Sequence, residues 1–282
     1  MKPLINWDAF QSLAMPPLQD TVKPLDGNVW DKSADMYNLM AGMERSYTYN
    51  QINCFPTSPE DTVLDIGCGP GRISVLMAMR SKKVTSIDSS KKMLEHCVNN
   101  AKNAGVTNLE PILMDWNDDN ACQKLPKHDI VIASRSVGMK DIIKLNRFAN
   151  KYCVLIAWAN SPCIPDIIND LFAGTSGVMQ SHENILLHDR RLGYNISFNM
   201  VYDLGFDPNI SIVTDGFTRD FESRKVAYDT LRHLKEIPDS EMPIFQNNLD
   251  LWLSENANSS ITFRRETRSF VLWWEAKPEI IE

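Results

Sequence analysis

Three glycines alternate with other residues in one short segment, Asp65-Ile66-Gly67-Cys68-Gly69-Pro70-Gly71. Glycine lacks a Cβ, so such a turn can adopt positive φ angles and lets a ligand lie directly against the backbone. A β-rich run over residues 62–66 precedes the turn and a helical pattern follows it, so the free N–H groups of a helix start would face the same ligand. The carboxylate of Asp65 favours a ligand that carries a positive charge.

The spacing of these glycines differs from the dinucleotide pattern G-x-G-x-x-G, in which a pyrophosphate binds at the start of the helix. The third glycine, Gly71, comes one residue too early for that pattern, and Pro70 occupies the turn. An acid before the first glycine would also repel a pyrophosphate. A nicotinamide oxidoreductase is therefore an alternative that the spacing disfavours.

Two further acids end predicted strands. Asp88 ends the second strand, 21 residues after Gly67, and Asp115 follows the third. A carboxylate in the position of Asp88 can accept hydrogen bonds from both hydroxyls of a ribose, and each bond to such a charged acceptor contributes roughly 1.5–3 kcal/mol. The alternatives are that Asp88 caps the next helix, where Ser89 competes with it, and that Asp115 is a turn residue.

Together these segments resemble the class I S-adenosylmethionine (SAM)-dependent methyltransferases over residues 30–135, and most closely the small-molecule methyltransferases of the quinone-biosynthesis type. The resemblance implies SAM as cofactor, S-adenosylhomocysteine (SAH) as product, and methyl transfer to a small-molecule acceptor by in-line displacement. The predicted cofactor contacts are Tyr37, Asp65, Gly67, Cys68, Gly69, Gly71, Asp88, Ser89, Met93, Asp115, Trp116 and Ser134.

The resemblance also implies individual roles. Asp65 would help hold the ammonium end of the cofactor, or else brace the loop. Asp115 would accept from the adenine amino group, while Trp116 would donate its backbone N–H to the ring. Met93 would pack on the adenine or simply belong to the core. The segment 30–37 resembles the helix that covers the cofactor in this family, so Tyr37 would lie over the methionine part, face the substrate, or lie in the core.

Methyl transfer from a sulfonium depends mainly on proximity and orientation, and it needs a general base only if the acceptor must lose a proton early. We find no catalytic dyad and predict no catalytic residue. Arg135, Trp158 and Tyr37 are the candidate substrate contacts, because they lie where strands four and five open onto the cleft or on the covering helix. Arg135 would bind an anionic substrate or the cofactor carboxylate, or would pair with a carboxylate of the covering helix.

Other chemistries are less consistent with the sequence. Ala133-Ser134-Arg135-Ser136 replaces the Asn/Asp-Pro-Pro-Tyr/Phe pattern of amino-methylating enzymes. Cys163, in Ser161-Pro162-Cys163, is read as packing at a helix start rather than as a nucleophile for cytosine methylation. The polar residues His182, Glu183, His188 and Asp189 lack the spacing of one helical face, so we predict no metal site.

Strand and helix patterns alternate from residue 62 onwards. This alternation predicts right-handed crossovers and a parallel sheet whose strands are buried on both faces. We expect an α/β fold: a Rossmann-like, doubly wound, mostly parallel seven-stranded sheet with a helical N-terminal lid and C-terminal helical insertions. The predicted organisation is an arm and lid helix over 1–55, a SAM-binding core over 56–160, and insertions with the last strands over 161–282, within one domain. Predicted strands cover residues 62–66, 83–88, 109–114, 129–133, 152–158, 209–213 and 268–274; predicted helices cover residues 29–54, 73–79, 90–104, 140–150, 163–173, 193–204, 222–236 and 243–254.

The composition is that of an ordinary globular protein. Of the 282 residues, 43% are apolar and 23% charged, and the net charge is −7. An acidic chain without large Lys/Arg clusters argues against a nucleic-acid substrate. The sequence contains no run of about 18 apolar residues, so we predict no membrane span. Six scattered cysteines indicate reduced thiols in a cytoplasmic protein. The sequence leaves three possibilities open: that the protein forms a homodimer, that it is a catalytically silent cofactor-binding module, and that it is a protein or RNA methyltransferase.

Overall fold

The computed structural model describes residues 4–7, 9–10, 29–160, 162–178 and 193–280. The polar residues between 182 and 189, and most of the predicted N-terminal arm, lie outside the described residues. Within the described part the chain forms one eight-stranded sheet with helices on both faces.

The strands of the sheet are numbered in chain order. Their bounds are β1 Thr62–Ile66, β2 Lys83–Asp88, β3 Leu109–Leu113, β4 His128–Ser134, β5 Ala149–Trp158, β6 Asn209–Phe221, β7 Leu253–Glu255 and β8 Ile261–Glu275. The spatial order is β3-β2-β1-β4-β5-β8-β6, and β7 pairs with β8 outside this path. Strands β1 to β5 are parallel, whereas β8 runs antiparallel to both β5 and β6.

The described helices are α1 Val29–Ile52, α2 Arg72–Ala78, α3 Lys91–Asn103, α4 Asp119–Cys122, α5 Ile142–Phe148, α6 Ile164–Leu171, α7 Gly193–Asp203, α8 Arg224–Leu231 and α9 Met242–Asp250. Local chemistry explains several of their ends. The side chain of Ser90 caps α3 by accepting from the Met93 N–H, and Asp141 caps α5 in the same way through Lys144. Gly105 follows α3 with a φ of +71°, a conformation that favours glycine.

The prediction of an α/β fold with a mostly parallel seven-stranded sheet is confirmed by the seven strands of the main path, and the structure adds the short strand β7 beside β8. The C-terminal strands are longer than predicted, because residues 214–221 of β6 pair with residues 261–268 of β8 beyond the predicted ends. Much of this extension is polar, so a hydrophobic pattern does not reveal it. The predicted helix over 243–254 ends at Asp250, after which residues 253–255 form β7 against β8.

The extended hairpin carries a second hydrophobic core. Ser269 of β8 pairs with Trp158, the last residue of β5, so residues 261–268 extend past the carboxyl end of β5. There α6, α8 and α9 pack against the hairpin and against the middle of α1, around Phe217, Phe245 and Phe263. We call this unit the cap. It stands at the edge where parallel strands end, which is where open α/β sheets bind ligands.

No helix among the described residues combines the length and the apolar character that a membrane crossing requires.

Candidate functional site

The glycine turn after β1 is fixed to the neighbouring strand. The backbone N–H groups of Gly67 and Cys68 both donate to the carbonyl of Ile87 in β2, at 2.9 and 3.0 Å. Gly67 has a φ of +66°, and a Cβ there would lie 2.5 Å from the Cβ of Ser136. This position therefore requires glycine for both its conformation and its packing, and the turn presents bare backbone to the space in front of it.

Asp88 closes the same corner of the sheet. One carboxylate oxygen accepts from the Gly69 N–H at 2.9 Å, and the other accepts from the Ser90 N–H at 2.8 Å. Burial raises the pKa of Asp88, while the backbone hydrogen bonds oppose that rise. A carboxylate has about four lone-pair sites, so Asp88 can still accept a further donor beside the backbone N–H groups of Gly69, Ser89 and Ser90. The helix cap next to it is Ser90 rather than Asp88 or Ser89.

A cleft of about 970 Å³ lies in front of this corner, between the carboxyl ends of the strands and helix α1. Ten of the twelve predicted cofactor residues line it. They are Tyr37, Gly67, Cys68, Gly69, Asp88, Ser89, Met93, Asp115, Trp116 and Ser134.

The other two predicted cofactor residues, Asp65 and Gly71, do not line the cleft. Asp65 is 1% exposed, and its carboxylate accepts from the Ser74 hydroxyl at 2.5 Å. Burial raises its pKa to about 6. Asp65 thus braces the turn from beneath, which is the alternative that the sequence left open. Gly71 faces α3, where a Cβ would lie 2.7 Å from the Cys97 sulfur.

An apolar slot forms the end of the cleft nearest β2 and β3. Ile87, Met93, Met114 and Trp116 line it, and Asp115 stands at its rim. Trp116 is 4% exposed, and its indole N–H has no partner among the described residues. The lining of this slot is therefore mainly apolar, with the carboxylate of Asp115 beside it.

Lys144 is a residue that the sequence reasoning missed. Its ammonium group donates to the Trp116 carbonyl and to Asp119, and it lies 4.5 Å from the centroid of the Trp116 ring. The side chain comes from α5, on the side of the slot away from the cleft. A buried lysine within an otherwise apolar helix face was the signal that could have identified it.

Helix α1 covers the cleft with one face. Trp30, Tyr37, Ala41 and Glu44 recur at helical spacing along it and all line the cleft. The rings of Trp30 and Tyr37 meet edge to face, with centroids 5.9 Å apart. The beginning of α1 is held against α3, because Asp31 accepts from the hydroxyl of Ser90, and α1 therefore contributes a wall of the site.

Arg135 lies at the centre of a buried ion network. Its Nη1 lies 2.8 Å from Glu44 Oε1, and its Nη2 lies 2.6 Å from Asp215 Oδ2 and 2.9 Å from the Ser269 hydroxyl. Its guanidinium carbon lies 3.3 Å from the centroid of the Trp158 ring. Of the alternatives for Arg135, the structure shows the ion pair with a carboxylate of the covering helix. Trp158 does not line the cleft, because Arg135 covers it.

Arg72, the first residue of α2, is the second cation of this network and was also missed. It pairs with Glu44 at 3.1 Å and donates to Gln51 and Ser134, each at 2.6 Å. Burial lowers the pKa of Arg72 and raises that of Glu44. The signal in the sequence was that Arg72 directly follows the glycine turn, and the structure shows that it lines the cleft.

The remaining candidates carry no separate site. The thiol of Cys163 donates to Asp166, and burial raises its pKa to about 12, so it is not poised as a thiolate nucleophile. Among the described residues no group of His, Cys, Asp or Glu has the geometry of a metal site.

A mostly parallel sheet of order β3-β2-β1-β4-β5-β8-β6, with a glycine turn after β1 and an acid at the end of β2, defines the architecture of class I methyltransferases. In agreement, residues 57–189 match a family model described as a methyltransferase domain. Over these residues the chain is therefore similar to a methyltransferase domain, in line with the resemblance that the sequence indicated.

The relatives by sequence match parts of the chain. A protein of Methanococcus maripaludis named probable cobalt-precorrin-6B C(15)-methyltransferase (decarboxylating) is 52% identical over 140 residues, which are 50% of this chain and 66% of that protein. An uncharacterized protein of Haemophilus influenzae is 31% identical over 114 residues, which are 40% of this chain and 42% of that protein. The chain thus spans less than two thirds of the length of either relative.

Among solved structures, the precorrin-6Y C5,15-methyltransferase of Geobacter metallireducens superposes with a TM-score of 0.46 at 12% identity, covering 82% of this chain and 87% of the other. The names of these relatives do not support the quinone-biosynthesis branch, which stays a prediction.

Proposed function

We propose that this chain is a SAM-dependent methyltransferase that transfers a methyl group to a small-molecule acceptor by in-line displacement. The observation that carries the proposal is the position of Asp88. Its carboxylate lines the cleft beside the glycine turn, and backbone N–H groups hold it in place while leaving it able to accept from a ligand. Two vicinal hydroxyls, as in a ribose, are the donors that such a carboxylate matches.

The residues of the cleft fit the whole cofactor. Asp88 would hold the ribose, and Asp115 would accept from the adenine amino group. Met93 and Trp116 would flank the adenine, because they form the walls of the apolar slot. Tyr37 and Ser134 lie toward the other end of the cleft, where the methionine part would be bound. The missing Cβ atoms of the turn leave room for close approach of the ligand to the backbone.

When bound, SAM supplies a methyl group on a sulfonium: the acceptor's lone pair forms the new bond to this carbon, and the carbon–sulfur electron pair leaves with the sulfur. The protein contributes orientation and the exclusion of water, which together can lower a barrier by about 7–11 kcal/mol. Among the described lining residues none is placed as a general base. Glu44 is held by two arginines, and burial raises the pKa of Tyr37.

The acceptor is proposed as a small molecule because α1 and Ile164 of the cap line the cleft beside the sheet and narrow the space in front of it. The relatives named for cobalt-precorrin-6B make a precorrin a second candidate acceptor, favoured by the 52% identity over 140 residues. That aligned segment covers half of this chain, so it supports the reaction class more strongly than the acceptor.

Calorimetric titration of the full chain with SAM and with SAH tests the proposal. We expect measurable binding of both, and binding weakened at least tenfold in Asp88→Ala, because a hydrogen bond to a charged acceptor contributes roughly 1.5–3 kcal/mol. Glu110→Gln is the matched control, since this exposed carboxylate on β3 pairs with Lys83 outside the cleft. Affinities weaker than about 1 mM for both ligands, or unchanged affinity in Asp88→Ala, would refute the proposal.

Methyl transfer itself separates the remaining alternatives. Incubation with SAM carrying a labelled methyl group and a cell extract should place label in the small-molecule fraction. Label in precipitable protein or RNA would instead indicate a macromolecular acceptor. Cofactor binding without any labelled product would indicate a catalytically silent module.

A further inference from the structure

The acceptor end of the cleft contains a cation whose hydrogen-bonding edge is already occupied. Both terminal nitrogens of Arg135 bond to protein acceptors, namely Glu44, Asp215 and Ser269. Its third nitrogen, Nε, is buried and has no partner among the described residues. Because the two terminal nitrogens are occupied and Nε is buried, an anion in the cleft cannot reach a free edge of this guanidinium, although binding at an edge is how arginine normally holds carboxylates and phosphates.

The charges around Arg135 also balance. Arg72 and Arg135 face the two carboxylates of Glu44 and Asp215, so the network has no net charge when all four groups are ionised. The two carboxylates are 1% and 0% exposed, which means that water does little to screen them. A negatively charged acceptor would have to compete with them for the arginines, and leaving a buried carboxylate unpaired is costly.

What Arg135 does offer is one flat face. Trp158 covers the other face, with its ring centroid 3.3 Å from the guanidinium carbon. Arg135 lines the cleft and Trp158 does not, so the open face is the one directed into the cleft. The side chain is 15% exposed, which is consistent with one accessible face and protected edges.

The surroundings of that face suit a ring. Tyr37 comes from α1, and Val137 and Ile164 add apolar surface to the same cleft. Burial raises the pKa of Tyr37, and the charge of Arg135 opposes that rise, which places the two groups within electrostatic reach of each other. A guanidinium stacks favourably on an aromatic face, more so in a site that excludes water.

We propose that the methyl acceptor is an uncharged compound with a planar, electron-rich ring, and that this ring stacks on the open face of Arg135 with Trp158 behind it. This inference rests on the proposed function, because it places the acceptor in the part of the cleft that bound SAM or SAH would leave free. Arg135 is then a specificity-determining residue that recognises a ring face and disfavours carboxylates.

The test measures the binding of matched probes to the full chain saturated with SAH. Phenol and cyclohexanol share size and polarity but differ in aromaticity, and benzoate adds a charge. We expect phenol to bind about tenfold more tightly than cyclohexanol, the ratio that a desolvated cation–π contact provides. In Arg135→Lys this ratio should fall to about threefold or less, because lysine keeps the charge and loses the planar face. Arg45→Lys, an exposed position of α1 outside this cleft, should keep the wild-type ratio.

Equal binding of phenol and cyclohexanol to the wild type, or a ratio that survives in Arg135→Lys, would overturn the inference. Benzoate binding more than about tenfold tighter than phenol would also overturn it, because a free guanidinium edge would then exist. If the variant does not fold, the Nε–H resonance of Arg135 in the wild type decides: phenol should shift it by ring current and cyclohexanol should not. Direct titration with SAH tests the proposed function separately. If SAH does not bind, the proposed function fails, and the ring preference can still be measured without SAH.

Discussion

Asp65 provides a stability prediction whose sign and size follow from its surroundings. The carboxyl is 1% exposed and receives a hydrogen bond from Ser74, which is in turn bonded by the Ser86 hydroxyl. Burial raises its pKa from the ordinary 3.8 to about 6. The folded state therefore binds a proton more tightly than the unfolded state does.

The consequence is a loss of stability as the pH rises. Below a pH of about 3.8 the group is protonated in both states and costs nothing, and above a pH of about 6 the folded state must bury its charge. A difference of about 2 pKa units corresponds to about 3 kcal/mol at 1.36 kcal/mol per unit. Asp65→Asn keeps the shape and an acceptor for Ser74 but cannot ionise, so the variant should gain about 3 kcal/mol relative to the wild type across this window.

Urea unfolding of both proteins at half-unit steps from pH 3.5 to 7.5 measures this difference, and other titrating groups cancel between them. Ser74→Ala is a companion variant. It removes a hydrogen bond that lowers the pKa of Asp65, so its destabilisation should be larger at pH 7 than at pH 4. A difference between Asp65→Asn and the wild type that stays constant with pH would refute the reasoning. Because Asp65 does not line the cleft, Asp65→Asn should also bind SAH within about twofold of the wild type.

Three further predictions concern packing, the ion network and the cofactor slot. Gly67→Ala should lower the free energy of unfolding by about 2 kcal/mol or more, because its φ is +66° and the new Cβ would overlap that of Ser136. Gly42→Ala in α1, where a Cβ meets nothing within 4 Å, should instead raise the free energy of unfolding by up to about 1 kcal/mol. Chemical denaturation measures both changes. Glu44→Gln should destabilise the fold by about 3–5 kcal/mol, because it leaves two buried arginines short of a counter-charge. Asp229→Asn in an exposed helix pair should have a much smaller effect, and equal effects of the two variants in urea unfolding would contradict the network's role. Lys144→Met should weaken SAH binding about tenfold, because the Trp116 carbonyl loses its hydrogen-bond donor. Lys225→Met, at an exposed helix position, should leave SAH binding unchanged. The same SAH affinity for both variants in calorimetry would exclude a positioning role of Lys144.

Sequence predicted best where one physical signal dominates. Strands β1 and β2 match the predicted bounds, because both are β-rich segments buried on both faces, β1 is followed by glycines, and β2 ends in an acid. The glycine turn was found because closely spaced glycines after a strand indicate a turn with positive φ angles. Asp88 was found because it ends a strand whose bounds were clear. Residues 214–221 and 261–267 were not recognised as strand, because these segments are largely polar and are stabilised by pairing with each other.

The ion network could not be predicted because its members lie far apart in the chain. They are Glu44 of α1, Arg72 at the start of α2, Arg135 directly after β4 and Asp215 of the extended hairpin. Charged residues in each of these segments look like ordinary surface polars when read alone. Only the packing of α1 against β6 and the sheet brings them together, and burial then makes their mutual contacts obligatory.

Strand β8 has a consequence for the molecule as a whole. Fifteen residues run without interruption from the cap into the middle of the sheet, bonded to β7, β6 and β5 in turn. Cutting the gene after codon 160 would thus remove more than an accessory unit: it would expose the entire β5 margin, an unpaired apolar edge that invites association between copies. The parallel part of the sheet and the cap thus share one continuous strand, so replacing the cap with another would require transplanting β8 along with it.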